Sequence, residues 1–212
     1  ADDFAAFLAD EPLAARSGHF TQVLARWFRE THRATILQNW GLLWMWHSLV
    51  LLVICVSTDA LRWRGHSARL PYVLMWTAGL GTWASITWAL RRRSGPVTFT
   101  ERQVAHVWAA SLVAIAGLFA VEWLLELRVL TLSPVLGLVS GMVFLIKAGM
   151  LTGKFYAQAV ALFASGVAMA VMQRFDRPGG ITLFGVVSAL CFFVPGLKYH
   201  RQLLAEREPE SP

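Results

Sequence analysis

Between Leu130 and Met172 the chain carries only two charges, Lys147 and Lys154, in more than forty residues. A soluble helix does not stay apolar on every face for that distance. A bilayer span needs about 20 apolar residues to cross ~30 Å of hydrocarbon. The stretch therefore reads as two spans folded as a hairpin, with its turn near Thr152-Gly153-Lys154. Backbone at that depth has no water to bond, so both spans must be helices. Small residues recur here at four-residue spacing: Gly137 and Gly141, Gly149 and Gly153, then Ala157, Ala161 and Ser165. Such spacing lets helix backbones approach closely in lipid. Packing within the chain is expected at these glycines, with a homodimer face as the alternative.

Composition agrees with a membrane protein. Of 212 residues, 56% are hydrophobic and 15% charged, against roughly 25% charged in soluble domains. The net charge of +6 does not point to nucleic acid, because the arginines fall at the ends of apolar runs. That is the pattern of membrane topology. Cys55 and Cys191 both lie inside apolar runs and read as small buried hydrophobes, with no disulfide or zinc framework.

The expected fold is all-α: an integral membrane bundle of six helices preceded by an amphipathic juxtamembrane helix. Residues 1–35 form a cytoplasmic linker and that helix, 36–198 the six-span domain, and 199–212 a cytoplasmic tail. In the helix expected over Phe20 to Trp40, an apolar stripe of Phe20, Val23, Leu24, Trp27 and Phe28 lies largely opposite Arg26, Arg29, Glu30 and Arg33. Arg26, Trp27, Arg29 and Arg33 suit an anionic headgroup layer, and a solvated helix is the alternative.

The spans are placed at about Ile36 to Leu61, Leu70 to Leu90, Val104 to Leu125, Pro134 to Leu151, Phe155 to Met172 and Ile181 to Leu197. Trp40, Trp44 and Trp46 at the entrance of the first read as an interfacial belt. Thr98 to Glu101 matches a capping box. Ser133-Pro134 supplies an N-cap followed by proline in the first turn. The sixth span is expected to kink or stop near Pro195-Gly196. Counted on alternating faces, thirteen lysines and arginines lie on the side of the termini, Lys147 included, and six on the other. The positive-inside rule then puts both ends in the cytoplasm, which for a bacterial cell means the inner membrane.

The first thirty residues carry a resemblance. Ala1-Asp2-Asp3, Phe7-Leu8-Ala9, Glu11-Pro12-Leu13 and Ala15-Arg16, followed by Arg26-Trp27-Phe28-Arg29, resemble the linker after the catalytic domain in planctomycete-type membrane-bound serine/threonine protein kinases. Ser17 and Glu30 depart from that pattern. The resemblance implies a longer parent protein, with a cytoplasmic domain before Ala1 that uses ATP and magnesium to phosphorylate protein substrates. The present residues would anchor it and pass it a signal.

Ionisable residues inside spans are functional candidates, because a charge in lipid is costly. Lys147, late in the fourth span, is expected to snorkel to the cytoplasmic surface, with pairing to a carboxylate or ligand as the alternative. Glu122 and Glu126 are four apart, so they should share a helix face as solvated interfacial carboxylates or, less simply, as a cation or proton site. His47 and His106 are expected to bond neighbouring helices, with a metal or pH-sensing pair as the alternative. No catalytic, cofactor or metal residue is expected in these residues: they hold no Gly-rich phosphate loop, HRD or DFG element, GxSxG or HExxH. A small transporter or channel would need His47, Glu122, Glu126 and Lys147 to converge on a polar cavity. A membrane enzyme would need His47 or His106 beside Glu122.

Overall fold

Every helix has to satisfy its own backbone, and the apolar runs of this chain do so with little else. In the computed structural model, which describes residues 41–93, 99–150, 153 and 155–207, six helices form and no strand does. Helix α1 is Gly41–Trp63. Helix α2 begins as Arg69–Val73, widens into a π-helical turn over Leu74–Ala78 and continues as Gly79–Arg93. Then come α3 (Phe99–Leu124), α4 (Val135–Met150), α5 (Phe155–Arg174) and α6 (Gly180–Arg207). Four helices are long and apolar enough to cross a membrane: α1, α3 over Arg102–Leu124, α5, and α6 over Gly180–Arg201. The expected juxtamembrane helix and the linker before it lie outside the described residues, as does Thr98 of the expected capping box.

The polarity of α1 is inverted relative to a soluble helix. Its exposed stripe is Leu42, Trp46, Leu49, Val53 and Val56, whereas its buried face includes His47, Ser48, Thr58 and Asp59. In water that arrangement would expose the apolar side and bury the polar one, at a cost on both. Against lipid both placements are favourable, since only the protein interior offers hydrogen-bond partners. The same surface continues over Leu138, Met142, Leu145 and Ile146 of α4 and Val160, Val167 and Val171 of α5.

Close approaches fix which helices are neighbours. A Cβ added at Gly41 would lie 2.8 Å from the carbonyl oxygen of Gly196, and one at Gly185 would lie 2.6 Å from Cβ of Cys55. With Asp59 bonded to Thr182, these pairs run α1 and α6 antiparallel along their whole shared length. Helices α4 and α5 pack just as tightly. A Cβ at Gly137 would meet the Gly166 backbone at 2.5 Å, and one at Gly141 would meet the Phe163 ring at 2.8 Å.

The other two glycines of that series behave differently. Gly149 is exposed, with nothing within 4 Å of its Cβ direction, and Gly153 has only Tyr156, three residues on, at 3.7 Å. Four-residue spacing keeps residues on one face for only about two turns, because each step overshoots a full rotation by about 40°. Gly149, twelve residues past Gly137, is therefore rotated about 120° from it, off the face that meets α5.

Helix α4 has 16 residues, about 24 Å at 1.5 Å per residue. Before it, residues 125–134 form an irregular segment with turns at 125–126 and 129–134, in which Leu130 and Ser133 are buried. Pro195 does not end α6, which continues through it to Arg207.

Candidate functional site

Buried polar groups collect at the two ends of the bundle. One group centres on Lys147, near the C-terminal end of α4 and close to the start of α1. The other lies where α1 and α3 end and α6 begins.

Lys147 is 1% exposed. Its Nζ lies 4.4 Å from the ring centre of Trp44, 4.6 Å from Phe144, 5.0 Å from Phe192, 5.2 Å from Trp108 and 5.7 Å from Phe155. These rings come from α1, α4, α6, α3 and α5. The expected snorkelling is therefore corrected: the side chain turns inward, into rings that attract a cation through their π faces. Removing an ammonium from water costs several kcal/mol, and a desolvated cation–π contact contributes about 2 kcal/mol or more. Several such contacts offset much of that cost. They supply no lone pairs, and Nζ has no hydrogen-bond partner among the described residues.

His47 belongs to the same cluster. Its ring lies 4.6 Å from that of Trp108 and 4.7 Å from that of Phe192, and its Nδ1 accepts the indole N–H of Trp83 at 3.1 Å. An indole nitrogen can only donate, so Nδ1 is unprotonated and Nε2 carries the hydrogen. His106 is elsewhere. It is exposed, and its Nδ1 lies 2.7 Å from the carbonyl oxygen of Arg102, one turn back on α3. Two residues along a helix turn through about 200°, so His106 and the inward-facing Trp108 point to opposite sides. The two histidines do not form a pair, and among the described residues no three His, Cys, Asp or Glu side chains gather as metal ligands would.

At the opposite end, Glu122 and Glu126 do not share a helix face. Helix α3 ends at Leu124, and Glu126 is exposed with φ of 51°, already in the turn. Glu122 is 2% exposed, not solvated. Its Oε2 accepts the N–H of Leu130 at 3.0 Å and its Oε1 that of Leu132 at 2.7 Å. Irregular backbone is tolerated at membrane depth only where protein groups satisfy it, and Glu122 does this for segment 125–134. It also holds Leu130 at φ of 66°, a left-handed conformation that costs a residue with a side chain about 1–2 kcal/mol. Arg69 of α2 donates to the carbonyl of Leu127 at 2.9 Å and, at 3.4 Å, to that of Glu122. A cation there suits the negative end of the α3 dipole.

Asp59 is 1% exposed. Its Oδ2 accepts both the backbone N–H and the hydroxyl of Thr182, each at 2.7 Å. A carboxylate from α1 thus caps the first turn of α6, where free N–H groups and the helix dipole favour negative charge. Asp59 lies inside the expected first span, so the rule that singles out Glu122 applies to it equally. The enclosing rings, by contrast, leave no sequence signal: Trp44 faces inward and Trp46 outward, and both read as interfacial tryptophans.

Comparison with protein-family models, with curated proteins and with solved structures finds no match for this chain.

Proposed function

We propose that this chain is the membrane anchor and sensor region of a larger membrane-bound serine/threonine protein kinase. The linker resemblance over residues 1–33 motivates the kinase part. The observation favouring an anchor over a transporter is the separation of the polar candidates. Lys147 and His47 are enclosed by rings at one end, Glu122 is committed to the backbone of its own loop at the other, and Glu126 lies outside on the surface. A translocation route would draw these groups onto one path.

In this reading six helices cross the inner membrane, with both termini in the cytoplasm where the positive charge is concentrated. The apolar exterior contacts the lipid bilayer. Arg26, Trp27, Arg29 and Arg33 lie at its surface, and the catalytic domain before Ala1 meets ATP and magnesium on the same side. The test is direct. The sequence encoded before Ala1 should contain a Gly-rich loop, a strand lysine, an HRD loop with its asparagine and a DFG metal site. The full-length protein in liposomes should transfer phosphate to Ser or Thr of a general acceptor protein, and residues 1–212 alone should not turn over ATP. An upstream sequence lacking those elements refutes the kinase assignment.

A further inference from the structure

We propose that Lys147, His47 and Trp108 form a binding site for one small, singly charged, weakly hydrated anion such as chloride or nitrate. Lys147 brings an ammonium with three donors and no acceptor, and none of those donors is used among the described residues. The buried indole N–H of Trp108 also has no partner, and that ring is 5.2 Å from Nζ. The third donor is His47. Because Trp83 occupies Nδ1 as an acceptor, the imidazole presents Nε2–H, and its ring lies 4.6 Å from that of Trp108.

Three helices, α1, α3 and α4, therefore place a cation and two neutral N–H donors in one ring cluster, with Lys147 Nζ and Trp108 Nε1 buried and unpartnered among the described residues. The enclosing side chains Phe144, Phe155 and Phe192 have no polar atom with which to answer them. Buried polar groups in folded proteins are almost always partnered, and a donor-only cluster bearing one positive charge is complemented by an acceptor bearing one negative charge. Aromatic walls select among anions. A divalent, strongly hydrated ion such as sulfate would lose more solvation than a single ammonium can replace, whereas a halide or nitrate is desolvated easily. Glu122 is at the other end of α3, with Glu126 in the turn beyond it, and neither competes.

The site rests on these contacts alone and is independent of what precedes Ala1, so it can fail while the kinase reading stands, and the reverse. The test uses the full chain in detergent micelles at constant ionic strength, replacing gluconate stepwise by chloride, bromide, nitrate or sulfate. Thermal unfolding is followed throughout. A ligand that binds only the folded state raises the midpoint in a saturable way. Chloride, bromide and nitrate should do so, and sulfate should not. Trp108→Phe keeps the ring and removes its N–H, so half-saturation should need about tenfold more anion, as expected for a hydrogen bond to a charged group. Lys147→Met keeps the length and removes the charge, and should abolish the response. If that variant does not fold, Trp108→Phe decides. The proposal is overturned by a wild-type midpoint indifferent to all four anions, or by a response that Trp108→Phe leaves unchanged. It is equally overturned if only added phosphatidylglycerol stabilises the protein in a Lys147-dependent way, which would assign the donors to a lipid phosphate.

Discussion

Gly137 and Gly149 occupy the same helix and differ in what surrounds them, so paired alanine substitutions isolate the worth of the α4–α5 contact. A Cβ at Gly137 would be 2.5 Å from both N and Cα of Gly166 and 2.9 Å from the carbonyl oxygen of Leu162. Carbon atoms in good contact sit about 3.5–4.0 Å apart, so α4 and α5 must separate by roughly 1 Å. All three opposing atoms are backbone, and no rotamer change can make room. Overpacking of this kind costs about 1–3 kcal/mol. At Gly149 the added methyl meets nothing within 4 Å. Both substitutions gain the same helix propensity, about 1 kcal/mol for alanine over glycine. The difference between them is then the clash alone, with Gly137→Ala less stable than Gly149→Ala by about 1–3 kcal/mol. Reversible unfolding in mixed micelles, titrated with dodecyl sulfate and followed by tryptophan fluorescence, measures it. Gly166→Ala should cost a similar amount, and the double variant less than the sum, because one separation relieves both clashes. Equal stability of Gly137→Ala and Gly149→Ala would refute the reasoning.

Three other outcomes are expected. Reporter fusions at His66 and Gly179 should read as external and one at Ser94 as cytoplasmic; the reverse pattern would overturn the topology. Glu122→Ala should destabilise by roughly 2–6 kcal/mol in the same titration, since two backbone N–H groups lose their acceptor at about 1–3 kcal/mol each. Glu126→Ala should change little, and equal effects would contradict the separation of the two carboxylates. In gluconate medium Lys147→Met should be as stable as the natural protein or more so, because replacing a buried charge by an apolar side chain of similar volume is often neutral or favourable; a loss of several kcal/mol would show that the ammonium itself holds the rings together.

Helix positions were legible because run length alone identifies them. The expected fifth span, Phe155 to Met172, falls within α5, and the expected fourth and sixth overlap α4 and α6 closely. What the residues do inside the bundle was less legible, for a physical reason. A helix that is apolar all round has no amphipathic phase to show which side faces its neighbours. Trp44 and Trp46 carry the same chemistry two residues apart, yet one is 2% exposed and the other 53%. Lys147 could reach the interface by length, and the five rings that draw it inward come from five different helices. Glu122 was visible as an intramembrane charge, but its partners are backbone N–H groups of a turn, which no side-chain pattern announces. The Gly149 position shows the converse: a four-residue spacing drifts off the packed face as the helix turns.

The two buried polar clusters also bear on how α1 can move. His47 and Asp59 are twelve residues apart, about 18 Å along a helix. The first is tied to α2 through Trp83, the second to α6 through Thr182. Between and beyond them, the Gly41–Gly196 and Cys55–Gly185 approaches mesh α1 with α6. Sliding α1 by one turn would break the Asp59 cap and leave a buried carboxylate unpaired. It would also drive the backbone of α1 against that of α6 where only glycines fit. Under the anchor-and-sensor reading proposed above, a signal carried by α1 cannot be a simple piston stroke of α1 alone. It must carry α6 along, or act through the rings around Lys147. At the Lys147 cluster the ring contacts of Trp44 and His47 are between side chains, which can repack while the neighbouring Gly41–Gly196 approach holds α1 against α6. A change in what Lys147 bonds would therefore be felt first at Trp44 and His47, within one or two turns of the residue where α1 begins.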